Sequence, residues 1–308
     1  MLGILKRAAA RLPHPLLYRL YLAWSWRRLE RVAESNRRRA GIPLLSERDL
    51  TGFRRSETVF ILGSGPSINC ISAERWRAMA EHDTIGLNLW PLHPFVPLIY
   101  CFEDMARTEA PYAALRQAFE RRQEDYRDTL KIVDDCFSGD LIRDLPAGWK
   151  TDLFCVHTLP AVAREPSELE YCIRYLDHRD AFTASSRLVR VFKYGSNLIA
   201  CVALSVRLGY KQIVLCGVDL RDQAYFYQDP ALFPEFSQLE FLPRNEKHVT
   251  TLSLDWLVPA SEVLLNLRRR VLEPRGVALY VESRSSALWP RIKEAPAATW
   301  EHDARRGP

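Results

Sequence analysis

Apolar residues along this chain come in short runs separated by charged, helix-like stretches, as expected when strands and helices alternate around a parallel sheet. TVFIL at 58–62 is a β-rich run that stops at a glycine. TIGLN (84–88), PLIYCF (97–102), LKIVDD (130–135) and DLFCVHT (152–158) read as further strands, with a charged helical stretch over 105–128. ELEYCIRYLDH (168–178) suits a short helix or a lid element, and LVRVF (188–192) a strand or the approach to a helix. SNLIACVALSVRLGY (196–210) reads most clearly. Ser196 or Asn197 is its N-cap, Ala200, Ala203 and Leu204 make a small apolar face, and Gly209 stops it. KQIVLCGVDL (211–220) follows, charged only at its ends, as a strand buried on both faces. A helix at 255–272 and a strand at 277–281 complete the body. The pattern predicts an α/β fold, a Rossmann-like, mostly parallel sheet with flanking helices.

Residues 222–250 have no period and hold Tyr225, Phe226, Tyr227 and His248. A loop that long and that aromatic reads as a functional lid or acceptor loop. The expected organisation is a basic helical segment over 1–55, a catalytic domain over 56–296 and a flexible tail over 297–308. The first segment interleaves Leu16, Leu17, Tyr18, Leu20, Tyr21, Trp24 and Trp26 with Arg19, Arg27, Arg28 and Arg31. It suits either a helix lying on an anionic membrane surface or one packed on the core.

Charge and cysteine content narrow this picture. Residues 1–50 hold eleven Lys or Arg against four Asp or Glu, while the whole chain is only +5, so the remainder is close to neutral. The positive charge is therefore a property of one end, which argues against a nucleic-acid partner. No apolar run is long enough to span a bilayer. Seven cysteines without a CxxC argue against a disulfide framework or a structural zinc site. They fit a reducing, cytoplasmic setting, and the membrane-surface reading of the basic segment would place the chain peripherally at the inner face of the membrane.

In an open parallel sheet, ligands gather beyond the carboxyl ends of the strands. Gly63-Ser64-Gly65-Pro66-Ser67, Asn88, the segment after Phe102 and Asp219 all fall at such ends. The glycine loop is either a plain turn or a place of close backbone approach, with Ser67 capping the next helix. It lacks a P-loop lysine and the third glycine of a dinucleotide fingerprint. The Asn88 carboxamide can read a base or sugar edge. Asp219 can pin loop backbone or hold a ribose. Arg221, on the same side of a continuing extended chain, would face a phosphate. His248 in PRNEKHVTT is poised to take a proton near neutral pH. Tyr227, or Tyr225, can donate to a leaving phosphate. Glu103 and Asp104 read as the first turn of a helix, and neither Asp-x-Asp nor metal-spaced histidines occur, so no bound metal is expected.

Taken in order, GSGPS (63–67), TIGLN (84–88), YGSNLIACVALSVRLGYKQIVLCGVDL (194–220), Tyr227 and His248 resemble the bacterial sialyltransferases of glycosyltransferase family 42. The wider group sharing these signatures includes pterin pyrophosphokinases. The resemblance spans roughly 58–290. It implies a GT-A-like fold, a CMP-activated keto-acid sugar as donor, a glycan or glycolipid acceptor, inversion at the anomeric carbon and no tightly bound cofactor. By the same resemblance the nucleotide lies against Gly63, Ser64, Gly65, Pro66, Ser67, Asn88, Ser196, Asn197 and Asp219. Tyr227 and Arg221 face the phosphate, and His248 is the base. Ser64 and Cys101 stand where the family has asparagines, and Arg221 where it has a tyrosine, so the donor sugar stays open among sialic acid, Kdo and relatives. Two other readings remain: a Mg-dependent pyrophosphokinase of the pterin type, using acids among Asp219, Asp222, Glu103 and Asp104, and a non-catalytic membrane-attached scaffold.

Overall fold

The structure, a computed structural model, describes residues 15–46, 54–109, 111–134, 139–161, 163, 165–183, 190–221, 224–239 and 258–301. The chain enters through helix α1 (Pro15–Ala40), followed by β1 (Thr58–Leu62), α2 (Ala73–Ala80), β2 (Asp83–Leu87), β3 (Ile99–Glu103), α3 (Tyr112–Arg121) and β4 (Leu130–Asp134). Next come α4 (Asp140–Asp144), β5 (Leu153–Pro160), α5 (Pro166–Asp177), β6 (Arg190–Lys193), α6 (Asn197–Arg207), β7 (Gln212–Cys216), α7 (Ala260–Leu267) and β8 (Ala278–Val281). All eight strands form one sheet in the order β6-β5-β4-β3-β2-β1-β7-β8, and every pairing is parallel.

Alternation along the buried strands builds two cores. Val59 and Ile61 of β1 point into one layer, and Phe60 and Leu62 into the other. The first layer is closed by α6, whose eleven residues are all buried. Ala200 and Ala203 let this helix lie directly on the middle of the sheet. Trp90, Trp149, Phe119 and Tyr126 fill the other layer.

The polar end of β2 is closed by Asp83. Its carboxylate accepts hydrogen bonds from the Arg55 and Ser56 amides, at 2.9 and 3.2 Å, and from the Tyr210 hydroxyl at 2.9 Å. Burial raises its pKa, and those three donors oppose the rise.

Helix α1 belongs to the body by one face. Leu22 and Ala33 are buried, and Trp26 stacks on Tyr175 of α5 at 6.2 Å. The chain then reaches β5, where the Cys155 amide donates to the Pro43 carbonyl and the Leu45 amide to the Cys155 carbonyl. β6 pairs only with the second half of β5, so Pro43–Leu45 covers an edge that would otherwise stay open. At the other end the chain packs on past 296: Ala297–Trp300 is a 3-10 turn, and Trp300 lies on Phe60 at 4.9 Å.

Candidate functional site

The strand order places a switch beside β1. From β1 the chain moves outward through β2 on one side, and from β7 it moves to β8 on the other. In open parallel sheets, ligands gather outside the carboxyl ends of the strands at such a switch point. Gly63–Ser67 leaves β1 at that point, and Gly217–Arg221 leaves β7.

The two loops interlock. The Gly63 amide donates to Cys216 O, the Gly65 amide to Gly217 O and the Ser67 amide to Asp219 Oδ2, at 2.8, 2.8 and 2.9 Å. A Cβ on Gly65 would overlap the Asp219 carboxylate and stand 2.7 Å from Gly217 O. Gly217 has φ +63, and a Cβ there would meet Ile68 Cδ1 at 2.8 Å. The close backbone approach announced by the glycines is thus met by the neighbouring loop. The Asp219 carboxylate pins the loop backbone through the Ser67 amide.

Ser67 does not cap a helix. Pro66–Cys70 is a 3-10 turn, and Ser72 caps α2 by accepting from the Arg75 amide at 3.2 Å. The expected alignment of Arg221 with Asp219 fails as well. Leu220 between them has φ +52, so the chain is not extended there, and Arg221 is exposed.

Phe226–Gln228 forms a turn that docks on the glycine loop. The Phe226 amide donates to Ser64 O at 2.9 Å, and Asn69 Nδ2 donates to Phe226 O at 2.9 Å. The Phe226 ring packs against Trp90 and His93 at 5.5 and 5.4 Å, and burial drives the His93 pKa down to about 3, so His93 acts as a neutral packing group. Tyr225 and Tyr227 stack at 5.2 Å. Tyr227 is fully buried, and its hydroxyl has no hydrogen-bond partner among the described residues. Burial pushes Tyr225 up to about 12 and Tyr227 further, so both phenols stay protonated donors near neutral pH.

One strand spacing away, about 4.8 Å, lies the end of β2. Asn88 has φ +46, a left-handed conformation that asparagine tolerates. Its Oδ1 accepts from Asn197 Nδ2 at 3.0 Å, and the same Nδ2 also reaches Cys101 O at 3.3 Å. Two residues far apart in sequence thus form one carboxamide pair. Ser196 precedes α6 without a side-chain cap bond, and its buried hydroxyl has no hydrogen-bond partner among the described residues. Burial raises the Cys201 thiol well above its usual range, as does Cys101 hydrogen-bonded beside it. His248 lies outside the described residues.

No known protein-family model matches the chain, and no curated protein matches it. Among solved structures it is similar to the crystal structure of the sialyltransferase CST-II in complex with trisaccharide acceptor and CMP. The two share 16% sequence identity with a TM-score of 0.40, over 78% of this chain and 86% of that one.

Sequence reading missed an ion cluster at the same edge. Lys193 at the end of β6 pairs with Asp134 of β4 at 2.9 Å and with Glu103 of β3 at 2.6 Å. Glu103 is therefore the last residue of its strand and not the start of a helix. Asp104 instead accepts from the Gly139 amide. The only signal in the sequence was charge at the end of each of three apolar runs: Glu103-Asp104, Asp134-Asp135 and Lys193.

Proposed function

We propose that this protein is an inverting glycosyltransferase. It would move a keto-acid sugar, such as sialic acid, Kdo or a relative, from a CMP-activated donor to a hydroxyl of a glycan or glycolipid. The observation that carries the proposal is the convergence at the β1/β7 switch. The Gly63–Ser67 loop, Asp219 and the Tyr225–Tyr227 turn are hydrogen-bonded or packed together there, with the Asn88–Asn197 pair one strand away. In the proposal, the carboxamides and the glycine loop receive the nucleotide. His248 takes the proton of the acceptor hydroxyl. That oxygen bonds to the anomeric carbon as the bond to the CMP phosphate breaks, and CMP leaves with the electron pair. A neutral phenol such as Tyr227 and the Arg221 cation stabilise the charge gathering on the phosphate.

The buried hydroxyls of Tyr227 and Ser196 support a ligand at this edge, because buried polar groups in native proteins are rarely left without partners. Thermal unfolding with added nucleotides tests the reading. CMP at roughly a hundredfold over its Kd stabilises by about 2.7 kcal/mol if it binds the native state alone. The expected result is a rise in Tm with CMP, with or without Mg²⁺. No rise with CMP, together with a rise under ATP and Mg²⁺, would favour the pyrophosphokinase reading instead.

A further inference from the structure

Helix α1 has two unlike faces. Leu22, Trp26 and Ala33 turn toward β5 and α5, and Glu30 on that side pairs with Arg190 at 2.7 Å. The opposite face is exposed. At 100° per residue, Leu20, Trp24, Arg27, Arg28, Arg31, Val32, Ser35, Arg38 and Arg39 fall within an arc of about 140°. All nine are exposed, and none is acidic. Leu20, Trp24 and Val32 are 59, 44 and 42% exposed. They are three of the five large apolar side chains left exposed among the described residues, so exposed apolar surface concentrates on this helix.

The arginines on this arc are mostly unneutralised. Arg38 bonds Glu34, and Arg28 lies over the Trp24 ring at 5.7 Å. Arg27, Arg28, Arg31 and Arg39 face no carboxylate among the described residues. Glu34 is already engaged by Arg37 and Arg38, and the Arg37 hydrogen bond is the main cause holding its carboxyl down to about 2. Lys6, Arg7 and Arg11 precede the helix in sequence. No described helix is long and apolar enough to cross a membrane.

We infer that the outer face of α1 docks on an anionic lipid bilayer, lying in the interface with Leu20, Trp24 and Val32 inserted and the arginines on the headgroups. A tryptophan at headgroup depth beside arginines whose stems lie along apolar surface is the arrangement that favours an interfacial helix. A nucleic acid would match the charge, but it gives no reason for a leucine and a valine left exposed on the same arc. The inference does not depend on the transferase reading.

Flotation of the full chain with vesicles tests it. Mixed phosphatidylcholine–phosphatidylglycerol vesicles should capture the protein, phosphatidylcholine vesicles should not, and raised salt should release it. Each arginine near an anionic surface strengthens binding about fivefold. Removing and reversing two charges in R27E/R31E should therefore weaken capture by at least ~20-fold. Trp24→Ala should weaken it while leaving the salt dependence in place. All three positions are exposed, and circular dichroism confirms that the variants stay folded. Equal capture by neutral vesicles, undiminished capture of R27E/R31E, or binding of duplex DNA without binding of vesicles would each overturn the inference.

Discussion

Gly217→Ala is expected to cost about 2–5 kcal/mol of stability, far more than alanine at another left-handed glycine. Two costs add. A non-glycine residue at φ near +60° costs roughly 1–2 kcal/mol. Forcing extra volume into a packed site costs about 1–3 kcal/mol more. At Gly217 the new methyl would lie 2.8 Å from Ile68 Cδ1 and 3.0 Å from Gly63 O. Ile68 is 1% exposed and has little room to yield. Gly276 is the control: its φ is +67, and a Cβ there meets nothing within 4 Å. Gly276→Ala should bear only the conformational cost. Urea denaturation of both variants separates the two contributions. Equal losses would mean that the β1 and β7 loops are not locked together as described.

His248→Ala is expected to lower sugar transfer by about 10² to 10⁴-fold while leaving CMP binding in place, the usual consequence of removing a well-placed general base. The chain on either side of the stretch holding His248 is tied near the proposed cleft. Leu239 O accepts from Gln228 Nε2, next to the tyrosine pair, and the Val258 amide donates to the Tyr194 hydroxyl, two residues before Ser196. A variant that transferred sugar at the wild-type rate would remove His248 from the reaction.

What could be read from the residues follows the physics that made each element. β1 and β7 were legible as uninterrupted apolar runs, because a central parallel strand is buried on both faces. The helix α6 was legible from its small residues and its stop at Gly209. β2 lies one residue earlier than expected, and β3 starts two residues later and ends one later, since apolar runs mark burial more sharply than hydrogen-bond ends. The gathering of strand-end residues on one edge also followed from the pattern.

Contacts that depend on the sheet's exact pairing were not legible. The Asn88–Asn197 pair needs β2 and α6 in one place, and the Lys193 cluster needs the offset of β6 along β5. The break at Leu220 depends on a backbone conformation that leucine rarely adopts. The burial of Tyr227 follows from Phe226 seating in the Trp90–His93 cluster, which an aperiodic loop does not announce.

The most direct measurement is a crystal structure of the protein soaked with CMP. The nucleotide should lie over the interlocked 63–67 and 217–221 loops, within hydrogen-bonding reach of the Asn88 and Asn197 carboxamides. CMP seated instead in the groove of about 940 Å³ lined by Arg75, Trp289 and Trp300, or bound nowhere at saturating concentration, would contradict the account.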